Sequence, residues 1–591
     1  MELNKKLFFI QQIRHPLVQQ LALGEAFLEQ KKPHLAELCF DQLLKGTTDA
    51  KLAALARIGK GKALRDRGLF EAARRQLTQA EEAAAAAGEA QILLLALVEE
   101  ANTWSAQGQL EEALRALADG HRRITSLGGS PLLKARIRIK EGLLWHQLGQ
   151  LEEALSHCQE AERILSETSE EGPSVEETRL LSLLGQADVL VSLRQAGRAM
   201  EILRTVRENF SESNANRFRE ATLAIEARCH ELMGNRRQAV RSWEELAVLS
   251  KKGPAYARLA LIHYNSGEPG KAEEWERKAL MALEEREDIE TRVVLFRLNM
   301  QRGRVREGAR HLEAVVEQAF AMKDEMARLR CGQLQADLWM DEAKVNAAED
   351  TAERIQNRLL HWKEKGRDVD LALLSVYQSL GRIRNLKGQR DEAESMFRKA
   401  LRLAHQIGMP LAIGHAMANL GRFLMGKGEF KSARDLLVRA EEIIGGSGEA
   451  LSLRYVLLDR VRLDVLEDVA QLSEAIEKVN GLLEGNARFQ CPRLDIAGLA
   501  TLGWFHWRGG RYEQARKAFR KMMEIAEDVG MELQRLFAMG LMGVLECEAG
   551  NKELAEQWLG ETLEGMELRG ADVSLAKELA ERFRDVTGFS W

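Results

Sequence analysis

A short pattern of glycine, then an aromatic or aliphatic residue, then alanine, returns along the whole chain about every forty residues. It reads Gly68-Leu69-Phe70-Glu71-Ala72-Ala73, then Gly108-Gln109-Leu110-Glu111-Glu112-Ala113 and Gly149-Gln150-Leu151-Glu152-Glu153-Ala154. It comes back late as Gly428-Glu429-Phe430-Lys431-Ser432-Ala433 and Gly510-Arg511-Tyr512-Glu513-Gln514-Ala515. A fixed period of this size is the mark of a solenoid, in which each small unit buries its apolar face only against its neighbours. A chain of 591 residues would otherwise be divided among several globular domains.

Aligned on the closing small residue, the units fall at Ala36, Ala73, Ala113, Ala154, Ala199, Ala239, Ala272, Gly308, Ala347, Ala393, Ala433, Ala475, Ala515 and Ala555. Twelve positions earlier most units carry a second small residue, such as Gly24, Gly61, Ala101, Gly142, Gly381, Gly421, Gly503 or Gly543. A small residue there lets two helices approach closely. A large apolar residue three later, as in Phe27, Leu64, Trp104 and Trp145, continues the same helix face. Four after the anchor comes Phe40, Leu77, Leu117, Leu203, Phe397, Leu437, Phe519 or Leu559. The glycine five before the anchor supplies the turn. Each unit therefore reads as an antiparallel pair of helices. Only eight prolines in the chain suit helices nearly end to end.

These units resemble the tetratricopeptide repeat (TPR), most closely at Ser375–Leu403, His415–Ile444 and Ala497–Ala526. There Asn419-Leu420-Gly421 and Thr501-Leu502-Gly503 precede the glycine–aromatic–alanine turn. Two features depart from the pattern: the period is near forty instead of 34, and the proline after the second helix is nearly absent. Longer repeats of this sort resemble those of kinesin light chains and of spindle-orienting adaptors. The resemblance implies an all-α, right-handed superhelical solenoid of about fourteen helix pairs over residues 1–572, with a candidate hinge near 362–370. A capping helix and tail are expected over 573–591. Units near 187–203, 335–351 and 463–479 are degenerate and rest on register.

Charged residues are 30% of the chain, mixed in sign, with net charge −5. No continuous basic track for nucleic acid is visible, and no apolar run approaches the ~18 residues of a membrane span. The six cysteines are far apart, without a Cys-x-x-Cys pair, so neither metal nor disulfide framework is indicated. Gly59-Lys60-Gly61-Lys62 and Gly267-Glu268-Pro269-Gly270-Lys271 lack the spacing and the hydroxyl of a phosphate loop. No catalytic constellation, cofactor motif or metal set emerges. The expectation is a non-enzymatic cytoplasmic protein whose partners are proteins or peptides, with no nucleic acid and no membrane.

In the family that these repeats resemble, first helices line the concave face. One position after the small residue the middle units carry Arg228, Arg297, Arg382 and Arg422, with Gln378, Asn385 and Asn419 near the last two. Arginine forks and asparagine amides suit the backbone or a carboxylate of an extended peptide. Further along, Asp464, Glu467 and Asp468 turn the face acidic, and Trp504, Trp507 and Arg508 follow. Tryptophan and arginine are enriched at binding hot spots. The candidate site is thus Gln378, Arg382, Asn385, Asn419, Arg422, Trp504, Trp507 and Arg508. The function expected is a scaffold or adaptor that holds extended partner segments. The alternative is a sensor solenoid that binds a peptide or small ligand and controls a separate effector.

Overall fold

The computed structural model describes residues 15–168, 172–210, 215–250, 252–285, 288–321, 325–468 and 470–568. The capping helix expected after residue 572 lies outside them. Contacts divide the chain into two units. Unit one comprises Met1–Ile225 with Phe320–Glu325 and Gly366–Asp368; unit two comprises Glu226–Ala319, Met326–Lys365 and Val369–Trp591.

Unit one carries α1 (Pro16–Glu29), α2 (Pro33–Gly46), α3 (Ala50–Asp66), α4 (Phe70–Ala86), α5 (Ala90–Ala106), α6 (Leu110–Ser126), α7 (Pro131–Leu148), α8 (Leu151–Glu167), α9 (Pro173–Ser192) and α10 (Ala196–Glu208). The division falls inside α11 (Ala215–Leu232). Unit two continues with α12 (Arg236–Ser250), α13 (Gly253–Asn265), α14 (Pro269–Glu285), α15 (Ile289–Arg302), α16 (Val305–Ala321), α17 (Glu325–Asp341) and α18 (Val345–Glu364). It ends with α19 (Asp370–Leu386), α20 (Arg390–Ile407), α21 (Pro410–Lys427), α22 (Phe430–Ser447), α23 (Ala450–Leu466), α24 (Leu472–Asn486), α25 (Pro492–Arg508), α26 (Tyr512–Val529), α27 (Glu532–Glu548) and α28 (Lys552–Glu567). Odd helices are the first and even helices the second of fourteen hairpins among the described residues. The three degenerate units are hairpins like the rest.

One packing relation recurs in both units. A Cβ placed on Gly24 would lie 2.6 Å from the Phe40 ring, and one on Gly61 would lie 2.8 Å from Leu77. The same holds for Gly142 with Cys158 Sγ at 2.7 Å and for Gly381 with Phe397 at 2.8 Å. Gly421 meets Leu437 at 3.0 Å, and Gly543 meets Leu559 at 2.6 Å. The hairpin closes because the first helix has no side chain where the second presents its largest. The eighth hairpin departs from this: Phe296 stands at the small position, Leu312 sixteen later is large as well, and Gly308 takes the anchor, all three buried.

In most hairpins the turn between paired helices holds a left-handed residue five before the anchor. Glycine fills it at most units, for example Gly428 (φ 87°) and Gly510 (φ 70°). Lys31, Arg194 and Ala343 fill it elsewhere with φ of 59°, 61° and 60°. Ala343 also corrects the ninth unit: its fully buried anchor is Ala348, one later than the expected Ala347, which is half-buried. With alanine in place of glycine, the turn carries no marker in the sequence, and the anchor stands one residue later than the pattern places it.

Contacts between alternate helices join first helices: α1–α3, α3–α5, α5–α7 and α7–α9 in unit one, and α13–α15, α21–α23, α23–α25 and α25–α27 in unit two. First helices crowd together on one side, so the row of hairpins in each unit bends towards them. In unit two the bend brings hairpins five apart together, through α13–α23 and α15–α25. Phe489, in the turn before α25, is fully buried, with its ring where a Cβ on Gly267 would be (2.8 Å). Arg493 donates from Nη1 to Asp341 Oδ1 (3.0 Å) and from Nε to Met300 O (3.1 Å), and its Nη2 pairs with Asp341 Oδ2. Arg236 donates to Gly448 O at 3.1 Å.

Gly503→Ala would drive a methyl within 2.3 Å of the Phe519 ring. Overpacking of this kind costs about 1–3 kcal/mol. A fall in the urea midpoint is expected, with part of the loss recovered in Gly503→Ala/Phe519→Leu; equal loss in the double variant would contradict the packing. Lys31→Gly, at an exposed left-handed position, should raise the midpoint instead, because that conformation costs a non-glycine residue roughly 1–2 kcal/mol.

Candidate functional site

All eight residues singled out in the sequence lie on first helices of unit two, from α19 to α25. Gln378 is half-buried on α19; Arg382 and Asn385 are exposed on the same helix. Arg382 Nη2 donates to Asp337 Oδ1 (3.0 Å) on α17 and to Ser379 Oγ (3.3 Å). Asp337 stands one after the buried Ala336, so it occupies in its hairpin the position that Arg382 occupies in the next. The pair is a rung between neighbouring first helices.

A second rung lies further along. Asn419 is half-buried on α21, and Arg422, one turn on, donates from Nε to Asp459 Oδ2 on α23 at 2.8 Å. Asp459 is buried, and Arg462 Nη1 reaches its other oxygen at 3.5 Å. Arg462 extends the ladder to α25, with Nε on Thr501 Oγ1 (2.7 Å) and Nη2 on Ala497 O (3.1 Å). The Asp459 charge holds the Arg422 pKa above the ordinary arginine value, against the opposing effect of lost hydration. Even so, the Arg422 side chain is 42% exposed, so it braces the wall and still presents a face to solvent.

The acidic stretch expected after this is partly neutralised. Arg434 of α22 pairs with Asp464 (2.8 Å) and with Glu467. Trp504, half-buried, tilts against Phe505 with centroids 5.2 Å apart, and the Arg508 guanidinium lies 5.7 Å from its ring centre. Arg508 also reaches Asp468 at 3.7 Å. Trp507 donates from Nε1 to Glu548 Oε2 (2.6 Å) and packs against the buried Phe519, Val544, Cys547 and Leu559. Trp507 therefore joins α25 to α27, while the half-buried Trp504 ring lies beside Arg508. Sequence reasoning missed the carboxylates of both rungs. Asp459 is a buried acid four before Leu463, a signal available in the pattern; Asp337 was hidden by the shifted register of its hairpin.

Residues that might have passed for chemistry are absorbed by packing. Gly59 and Gly61 sit inside α3 against Phe40 and Leu77, and Gly267 faces Phe489. The six cysteines are free and buried, and burial pushes the Cys158 thiol up to about 12, far from a reactive thiolate. Among the described residues no group of His, Cys, Asp or Glu is arranged to hold a metal ion. Among them also, no helix is long and apolar enough to cross a membrane.

The tetratricopeptide repeat profile matches residues 21–90, 374–406 and 497–529. The matched segments are tetratricopeptide repeats, and they are hairpins of the all-α repeat solenoid described above. No curated protein matches the sequence. Among solved structures, the APC/C hetero-tetramer Cut9-Hcn1 is similar over 99% of both chains, at 13% identity and TM-score 0.47. A Rap protein complexed with Competence and Sporulation Factor is similar over 67% of this chain and 99% of its own, at 13% identity and TM-score 0.38. A human IFIT1 dimer with PPP-AAAA is similar over 74% and 93%, at 16% identity and TM-score 0.36.

Arg422→Ala would leave Asp459 with one long contact to Arg462, and a buried acceptor losing its partner costs about 1–3 kcal/mol. Arg382→Ala breaks an exposed pair worth about 0–1 kcal/mol. Thermal unfolding of the two variants should separate them clearly; equal shifts would contradict the assignment of Arg422 as the more deeply held rung.

Proposed function

We propose that the chain is a non-enzymatic cytoplasmic scaffold that holds an extended segment of a partner protein along the first helices of unit two. One observation carries this reading. Gln378, Arg382, Asn385, Asn419, Arg422, Trp504 and Arg508 stand on neighbouring first helices, and each keeps an exposed or half-exposed polar or aromatic face. The ion-pair rungs fix the arginines in place beforehand, so a partner loses less by ordering them. Asparagine and glutamine amides offer donor and acceptor together, the combination that an extended peptide backbone requires. The half-open Trp504 ring with Arg508 beside it supplies an anchor of the hot-spot kind. The cysteines, all free and buried, accord with a reducing compartment.

Affinity purification with mass spectrometry identifies a partner, and isothermal titration with that partner tests the face. Trp504→Ala/Arg508→Ala and Arg382→Ala/Asn385→Ala should each weaken binding at least tenfold, while helical content by circular dichroism is retained. Unchanged affinity in both variants would sink the reading.

A further inference from the structure

Three arginines on consecutive first helices of unit two stand apart from the ion-pair ladder. They are Arg258 on α13, Arg297 on α15 and Arg330 on α17. Arg297 occupies the position, one after the residue facing the second helix, that Arg382 and Arg422 occupy in later hairpins. There the guanidinium meets a carboxylate of an adjacent first helix; Arg297 meets like charge. Arg258 and Arg330 flank it, and among the described residues no hydrogen bond or ion pair joins any of the three to an acid. Asp337, the nearest carboxylate acting on Arg297, is already engaged by Arg382 and Ser379. Arg297 and Arg330 are exposed, and Arg258 is half-buried with its Nε shut off from solvent and without a hydrogen-bond partner. Lost hydration first, and then Arg258 and Arg330, push the Arg297 pKa below the ordinary arginine value. A folded chain gains nothing from such an array by itself: three like charges gathered without counter-charge raise its energy.

Resting on the scaffold reading above, we infer that this triad is the acidic-side-chain subsite of the partner groove. Its ligand is an extended partner segment with carboxylates spaced three residues apart. The spacing follows from geometry. Packed helices lie about 8–10 Å apart, so guanidiniums on successive first helices repeat at roughly that distance. An extended chain in the polyproline conformation rises about 3.1 Å per residue with three residues per turn, so side chains at i, i+3 and i+6 share a face at about 9 Å intervals. One carboxylate then meets each arginine as a charge-assisted, fork-to-carboxylate pair. Adjacent acids would crowd one arginine and leave the others unmet.

The experiment uses the full chain and fluorescence anisotropy. The first probe is a labelled ten-residue peptide with glutamates at positions 2, 5 and 8 among proline and alanine. The second has the same composition with the three glutamates adjacent, and the third is a single-stranded RNA decamer. The spaced peptide is expected to bind at least fivefold more tightly than the clustered one, and to weaken as salt screens the charges. Arg297→Gln and Arg258→Gln/Arg330→Gln should each weaken it at least tenfold. Because these changes relieve repulsion, the melting temperature should stay level or rise, which separates lost binding from lost folding. Equal binding of spaced and clustered peptides, indifference to Arg297→Gln, or tighter binding of the RNA would each overturn the assignment. Absence of peptide binding would overturn it too, and the scaffold reading would still stand if partner affinity continued to depend on Trp504 and Arg382.

Discussion

The structure of each unit depends on the contact between a small residue on the first helix of a hairpin and a large one sixteen positions later on the second. Gly24 with Phe40, Gly381 with Phe397 and Gly543 with Leu559 are the same contact repeated. It brings two backbones close without a cavity, which close-packed interiors demand. The eighth hairpin is a departure: Phe296 and Leu312 are both large, and the anchor beside them shrinks to Gly308. Once a hairpin closes, its outer residues are left to pack against neighbours, and the first helices do so on one side.

Crowding of first helices has two consequences in unit two. It bends the row until hairpins five apart touch, where Phe489 fills the space beside Gly267 and Arg493 grips Asp341 and Met300 O. It also gathers polar residues from successive first helices along one wall. Charges on that wall interact across hairpins, as the pairs Arg382–Asp337 and Arg422–Asp459 do. The fold therefore makes charge on its inner wall a collective property: a given arginine is braced or strained according to what the adjacent first helix presents.

Much of this was legible in the sequence because a repeat multiplies each signal. The anchor alanines, the small residues and the turn glycines could be read from single hairpins and checked on the others. What escaped was local. Ala343 takes a left-handed turn position normally held by glycine, so the ninth hairpin offered no marker and Asp337 was not placed opposite Arg382. Trp504 and Trp507 look alike in the sequence, yet three residues along a helix suffice to turn them onto different core clusters. Arg258 and Arg330 lie outside the row one after the small residue, earlier on their helices, so the repeat pattern does not mark them.

The contrast between braced and unbraced arginines links the fold to its use. Where Asp337 or Asp459 stands across from an arginine, the wall is satisfied from within, and a ligand meets a fixed surface. At Arg297 the wall is left unsatisfied. An ion pair inside the chain would have stabilised that stretch at the cost of one substitution, since an aspartate at the equivalent position serves in a later hairpin. Retaining three guanidiniums there leaves a charge that a partner's carboxylates can compensate. The energy stored as mutual repulsion in the free chain is released on binding, so it counts towards affinity without any additional contact area. A solenoid can carry such a stretch because its stability is spread over many similar interfaces between hairpins, and strain at one of them is borne locally.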